Sequence, residues 1–348
     1  MTRSTLIAVA VACAAVPCQA SAACRPKGTR TVRSAPLVTI YHRAHPVADQ
    51  VWFACRRGAR RALVLYKGGE GWAGGSIALY FRIDGYRVAY IDDESDKSDE
   101  LEYLHLVDVR TGQISQTELY APPADLAPIH VTHLVLPPGG QPVWIVEGEA
   151  SSGLYVNEGP DAMRQVDAAL PGALGDLSVS NGVVSWTHHG AARNAPMTVS
   201  PDLCPGRPMG ISNDTATLVE VHLSRLACLR ATGRLTSLQS PSSVVRLAGP
   251  YAAVATPGAK FGDATIKELE LRTGETVGPD MNGGGALQPW FLAPNGTVAA
   301  VLEGALWVRR LGGEPTLVDP GPVQRPALDE MTLYWRVGAR PASLDLGD

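Results

Sequence analysis

The chain has 348 residues, 45% of them hydrophobic, 6% aromatic and 18% charged, with 36 glycines and 27 prolines. Gly plus Pro at this density, well above the average of roughly 12%, excludes an architecture of average-length helices, and the lack of a glycine at every third position excludes collagen. A net charge of −4 and a pI of about 6.1 exclude the basic footprint of a nucleic-acid binder, so no nucleic acid is expected among the partners.

At the N-terminus Arg3 precedes an apolar run from Leu6 to Val16, followed by the small residues Ala20, Ser21, Ala22 and Ala23. This is the pattern of a secretory signal with an A-x-A cleavage site, so residues 1–23 are predicted to be removed after Ala22 or Ala23. The run is too short to span a bilayer, and no later stretch approaches the roughly 20 apolar residues required. Ser21 stands at −3 from Cys24 and Cys18 follows Pro17, neither of which suits lipid attachment. The expectation is a secreted, monomeric domain over residues 24–348 with no membrane span.

Cleavage leaves Cys24, Cys55, Cys204 and Cys228, an even set in an oxidising compartment. The favoured pairing is Cys24–Cys55 and Cys204–Cys228, since the pairs enclose similar lengths and end in related motifs, Phe53-Ala54-Cys55-Arg56-Arg57 and Leu226-Ala227-Cys228-Leu229-Arg230. No C-x-x-C spacing supports zinc.

Along the chain, a turn containing Gly, Asp or Asn repeatedly precedes a short alternating strand, the pattern of a hairpin. The turns fall at Asp84-Gly85, Gly139-Gly140, Asn181-Gly182, Asn213-Asp214, Gly249-Pro250, Asn295-Gly296 and Asp329-Glu330, with a weaker unit opening at Leu37-Val38-Thr39-Ile40. Their mean spacing, about 41 residues, is that of a four-stranded propeller blade. A longer period overlies the short one. Leu106-Val107-Asp108-Val109-Arg110-Thr111-Gly112 parallels Glu268-Leu269-Glu270-Leu271-Arg272-Thr273-Gly274. Gln165-Val166-Asp167 parallels Leu317-Val318-Asp319, and Val184-Ser185-Trp186-Thr187 parallels Leu333-Tyr334-Trp335-Arg336. The order is the same in both halves, about 24–203 and 204–348, which implies a duplicated block of four units. The fold class predicted is therefore all-β, a β-propeller of eight blades, or of seven if two incomplete units merge. Units four and eight are short of a last strand. Gly210-Ile211-Ser212 is expected to complete the fourth, and Thr29-Arg30-Thr31-Val32 to close the ring at the eighth, removing exposed sheet edges.

Strand pairs such as Asp84-Gly85-Tyr86-Arg87-Val88-Ala89-Tyr90-Ile91 and Leu106-Val107-Asp108-Val109-Arg110-Thr111-Gly112-Gln113 resemble the blades of TolB-like and other WD40-like bacterial β-propellers over nearly the whole mature chain. The low lysine content and the Cys24/Cys55 start are similar to exported actinobacterial propellers. The resemblance implies binding or scaffolding more than a reaction, because a fold does not specify a function.

No G-x-S-x-G elbow, H-E-x-x-H, P-loop or dinucleotide fingerprint is present, and no two cysteines are adjacent, so no catalytic residue and no bound cofactor is expected. The acidic stretch Asp92 to Glu100 is read as a solvated hairpin loop, with Asp92, Glu94 and Asp96 as the candidate oxygen ligands for Ca²⁺. The pairs His42/His45, His130/His133 and His188/His189 point to opposite faces of a strand, so chelation by any of them requires a bend. Six tryptophans, Trp52, Trp144, Trp186, Trp290, Trp307 and Trp335, are expected between blades. Trp72, in a glycine-rich segment, is read first as a further interblade packing residue and, if its indole is exposed, as the candidate for stacking on a sugar or peptide. The functional expectation is a secreted binding module for a protein, glycan or cell-envelope component. The alternative is a carbohydrate-active hydrolase or lyase using funnel carboxylates about 5 to 9.5 Å apart.

Overall fold

A computed structural model describes residues 24–44, 50–67, 77–95, 100–119, 130–148, 151–159, 162–200, 202–221, 224–238, 244–257, 263–284 and 289–347. The predicted signal segment 1–23 and Trp72 lie outside them.

The described chain is strand throughout, in consecutive antiparallel meanders. The first contains β1 (Arg30–Ser34), β2 (Val38–Ala44), β3 (Gln50–Arg56) and β4 (Leu63–Lys67). The second contains β5 (Ile77–Asp84), β6 (Arg87–Ser95), β7 (Glu100–Asp108) and β8 (Gln113–Glu118). The third contains β9 (His130–Val135), β10 (Val143–Glu147), β11 (Ser152–Gly159) and β12 (Ala162–Ala169). The fourth has three strands, β13 (Leu174–Ser180), β14 (Val183–His188) and β15 (Ala191–Pro196).

The second half repeats the order. The fifth meander has β16 (Arg207–Ser212), β17 (Ala216–Val221), β18 (Ser224–Leu229) and β19 (Arg234–Ser237). The sixth has β20 (Val244–Ala248), β21 (Tyr251–Pro257), β22 (Asp263–Glu270), β23 (Glu275–Thr276) and β24 (Met281–Gly284). The seventh has β25 (Trp290–Leu292), β26 (Val298–Leu302), β27 (Ala305–Arg309) and β28 (Thr316–Asp319). The eighth again has three, β29 (Val323–Asp329), β30 (Thr332–Val337) and β31 (Arg340–Asp345). This radial repetition of small antiparallel sheets makes the chain an all-β propeller.

The turn residues place these strands. Every turn read from the sequence joins the first and second strands of its meander. Asn181 and Gly182 both have positive φ, +50° and +75°, as a two-residue hairpin between directly paired Ser180 and Val183 requires. The R-T-G sequences form matching turns: the Gly112 and Gly274 amides donate to the carbonyls of Asp108 and Glu270, four residues back, at 2.8 and 2.7 Å. The same turn occurs without the R-T-G triplet, where the Gly233 amide donates to the Leu229 carbonyl at 2.8 Å.

The apolar core lies between neighbouring meanders, because each sheet alternates side chains toward the two sheets beside it. Val38, Ile40 and Trp52 pack on Val88, Tyr90 and Val107; Ile91 and Leu104 pack on Trp144 and Tyr155; Ile145 and Val156 pack on Val184 and Trp186. The second half does the same through Leu218 on Ala252, Ile266 on Trp290, and Val308 on Trp335. All six strand tryptophans take part in these clusters, Trp307 at the edge of one. Removing such a buried side chain costs about 3–5 kcal/mol.

Both predicted disulfides are formed, with Cα separations of 5.7 Å for Cys24–Cys55 and 5.9 Å for Cys204–Cys228. Each ties the segment before a first strand to a third strand, β3 or β18, at the same point in each half. Spanning 31 and 24 residues, they each stabilise the fold by about 3.5 kcal/mol in the chain-entropy account.

Three sequence expectations are corrected. The strand Gly210-Ile211-Ser212 does not complete the fourth meander: it belongs to β16, which pairs with β17 and runs parallel to β12 through Ala162↔Gly210, Met163↔Ile211 and Arg164↔Ser212. The N-terminal strand does not pair with the eighth meander; β1 pairs with β2 from Arg30↔His42 onward. The acidic stretch does not begin as a loop, since β6 runs to Ser95 and pairs Asp93↔Glu102 and Ser95↔Glu100 with β7. In each case the backbone groups of the segment are met by pairing with the strand beside it, β2, β12 and β17, or β7.

The β12–β16 junction is also a polar staple. Arg164 is fully buried and donates to the carbonyls of Pro196 and Met197 at 2.8 and 2.9 Å and to the Asp214 carboxylate. Glu158 lies between Arg164, 3.4 Å away, and Arg230, which donates to it at 2.6 Å. Arg230 further donates to Asp202, Ser212 Oγ and the Asn213 carbonyl.

Candidate functional site

First strands of the second half, β16, β20, β25 and β29, together with β12 from the first, surround a cavity of about 300 Å³. Val245, Leu247, Phe291, Leu292 and Leu328 give it an apolar wall. Ser151, Gln165, Asp167, Asn213, Arg246 and Glu330 supply its polar groups. The Arg246 guanidinium lies 4.6 Å from the centre of the Trp290 ring, which orients it by a cation–π contact. A volume of this size is at the lower end of small-ligand sites.

One rim of the cavity continues into a chain of polar contacts where the fourth and eighth meanders face each other. Asp167 Oδ2 accepts from Trp186 Nε1 at 2.7 Å and lies 2.7 Å from His188 Nδ1. His188 Nε2 lies 3.1 Å from Asp329 Oδ1, and His189 Nε2 lies 2.6 Å from Asp329 Oδ2. The His188 side chain is buried and that of His189 is 54% exposed. Arg193 closes the group: its guanidinium is 3.6 Å from Asp167 and donates to Glu330, a bond that raises its already high pKa further.

Local backbone makes this possible. His188 ends β14, and His189 has a φ of +51° followed by Gly190 at +77°. A strand would send the two rings to opposite faces; the left-handed turn brings both to one carboxylate. The bend that the sequence reading required of this pair is therefore present, and His188/His189 is the histidine pair that the structure assembles.

The Asp167 contact has a counterpart across the duplication. Trp335 Nε1 donates to Asp319 Oδ2 at 3.0 Å, joining seventh and eighth meanders as Trp186–Asp167 joins third and fourth. With the amide of Gly321, this indole holds the Asp319 carboxyl below its usual pKa range. The second half has no histidine after Trp335, so the cluster arises on one copy of a repeated contact. The parallel Asp and Trp positions and the His-His-Gly run were its signal in the sequence; the distant partner Asp329, seen there only as a turn residue, was not.

Of the expected calcium ligands, Asp92 is buried on β6 with an oxygen 3.6 Å from His105 Nε2, Glu94 is a strand residue of β6, and Asp96 lies outside the described residues. Asp92 is thus turned toward a histidine rather than exposed in a loop. The His42 ring lies against Trp52, tilted by 44° with centroids 4.6 Å apart, and accepts from Arg30, and burial lowers its pKa; His45 lies outside the described residues. His133 contacts the neighbouring Thr132. A second opening is lined by Arg56, Arg60, Arg61 and Arg110, of which Arg110 is committed to Asp108.

No protein-family model matches the chain, and no curated protein matches it. Among solved structures, it is similar to the β-propeller domain of the trilobed protease from Pyrococcus furiosus, described as having an open velcro topology, at 11% identity and a TM-score of 0.27 over 80% of this chain and 83% of that one. It is similar to an oligogalacturonate lyase in complex with manganese at 10% identity and a TM-score of 0.27, over 90% of this chain and 94% of that one. It is also similar to Porphyromonas gingivalis dipeptidyl peptidase 4 at 10% identity and a TM-score of 0.32, over 71% of this chain, but it spans only 44% of the peptidase. The assignment to the β-propellers stands on the chain's own sheets: successive small antiparallel meanders among the described residues, with apolar clusters packed between neighbours in each half.

Proposed function

We propose that this protein is an exported binding propeller whose cavity, between β12 and the first strands of the second half, receives a small apolar group of its partner. The observation that carries the reading is the cavity lining: large apolar side chains, among them Val245, Leu247, Phe291, Leu292 and Leu328, form the wall, and polar groups stand at defined points. Burying an apolar group there releases its hydration water, and the polar groups set its orientation. The two disulfides favour an oxidising compartment, and no helix among the described residues is long and apolar enough to cross a membrane.

The alternative, a carbohydrate-active enzyme, is favoured by one observation: Asp167 and Glu330, from different meanders, line the same cavity. Both are engaged by the single guanidinium of Arg193, and Asp167 also accepts from Trp186. A general acid and base need one free carboxylate each. Binding is therefore the better reading.

Ligand-observed NMR with a panel of small aromatic and aliphatic amines, alcohols and acids tests it. Compounds are expected to bind the wild-type domain and to lose binding in a Leu247→Trp variant, whose indole fills the cavity. Retention of every hit by a folded Leu247→Trp protein, or no hit at all, refutes the reading. Release of reducing sugar ends from polysaccharides, abolished by Glu330→Gln, decides for the alternative.

A further inference from the structure

We propose that His188, His189 and Asp329 form a site for a divalent first-row transition metal, with Zn²⁺ the first ion to test. One donor atom from each residue lies within 4.8 Å of the others. Tetrahedral zinc with imidazole and carboxylate ligands spaces its donors about 3.4 Å apart. His188 Nε2 lies 3.1 Å from Asp329 Oδ1 and His189 Nε2 lies 2.6 Å from Asp329 Oδ2, contacts to the two oxygens of one carboxylate that are shorter than this value, so the half-exposed His189 ring must draw back to admit an ion.

Three features point to an ion rather than to a simple hydrogen-bond chain. First, the carboxylates of Asp167 and Asp329 both face His188, and Asp329 also faces His189, so negative charge is concentrated where a cation would sit. Second, Asp167 takes the Nδ1 side at 2.7 Å and is itself fixed by the Trp186 indole. A carboxylate in this place matches the outer-shell partner that orients metal-bound histidines, and with the Nδ1 hydrogen directed to Asp167 it would leave Nε2 facing Asp329 for an ion. Third, the two histidines are neighbours in sequence, and a left-handed turn, unusual for residues other than glycine, brings them to one carboxylate.

Two imidazoles and one carboxylate are borderline ligands that suit zinc and its first-row neighbours and are poor for calcium, which prefers six to eight oxygens. Three protein ligands leave a fourth position. The exposed His189 side opens that position to solvent, beside the cavity rim at Leu328 and Glu330. The metal would join the fourth meander to the eighth and offer a coordination point to a donor atom arriving from solvent. The inference does not depend on occupancy of the apolar cavity.

Isothermal titration of the disulfide-intact protein with Zn²⁺ is the test, together with Co²⁺ absorption spectra to read the coordination. One saturable site of micromolar or tighter affinity is expected, with a visible Co²⁺ band of tetrahedral type. His189→Ala, a change at a half-exposed turn, is expected to weaken binding at least tenfold with an unchanged circular-dichroism spectrum. Asp167→Asn is expected to weaken it by about 10- to 100-fold through the orientation of His188. The Leu247→Trp cavity variant retains wild-type affinity. Absence of saturable binding, or less than a tenfold loss in His189→Ala, overturns the proposal.

Discussion

Replacing Glu158 by Gln tests how the two halves are joined. Glu158 is mostly buried and lies against two guanidiniums whose side chains are 0% and 4% exposed, those of Arg164 and Arg230. Taking one partner from a buried ion pair costs about 3–5 kcal/mol, because the remaining charge stays desolvated without its counter-ion. Here the loss falls toward the lower figure. Arg164 keeps Asp214 and two backbone carbonyls, and Arg230 keeps Asp202, Ser212 and the Asn213 carbonyl. We therefore expect a loss of about 3 kcal/mol. For a domain of about 300 residues the unfolding entropy is about 0.6 kcal/mol/K, so the midpoint falls by about 5 °C. Thermal and urea denaturation followed by circular dichroism measure this directly. Asp108→Asn, which removes the exposed Asp108–Arg110 pair at a turn, serves as the comparison and should leave the midpoint close to wild type. A loss below about 1 kcal/mol in Glu158→Gln would show that solvent or the remaining partners compensate and refute the staple.

The paired indole bonds make a second prediction. Trp186→Phe and Trp335→Phe each remove one donor from a carboxylate, Asp167 or Asp319, and keep most of the packing; each should cost about 1.5–3 kcal/mol by chemical denaturation. Unequal costs, with one near zero, would refute the equivalence of the two contacts. A third concerns pH. Glu268 is buried and pairs with Arg309 at 2.7 Å; burial pushes its carboxyl up to about 7, with Arg309 opposing only in part. Because the folded pKa lies above the unfolded value, the stabilisation from this group is fully present below about pH 4.5 and is lost as pH rises through 7. Melting temperatures across that window should decline less in Glu268→Gln than in the wild type; an identical decline refutes the assignment.

Much of the fold was readable because its signals are local. Gly and Asn at the hairpin turns, alternation in strands such as Val183–His188, and the repeated R-T-G turns depend on residues adjacent in sequence. The cysteine pairing was readable because the duplication placed each pair at the same point in its half. The strand partners of β1 and β16 were misjudged for a different reason. Their sequences show that they are strands, but a free edge can be satisfied by any neighbour of suitable twist. The histidine cluster was partly readable: the His-His doublet stood out, but strand geometry argued against it until the turn at His189 was known.

By itself, the sequence determined the class of the protein: Gly and Pro at recurring turns, alternating strands between them, four units doubled, and four cysteines paired within their halves. These follow from backbone preferences and side-chain periodicity, which act over a few residues. Only the tertiary structure decided that β12 runs beside β16, that Glu158 is held between two buried arginines, and that Asp329 meets two histidines about 140 residues earlier. Those contacts depend on how whole sheets stack, which no local pattern encodes. They place the cavity and the histidine cluster side by side at the meeting of the two halves.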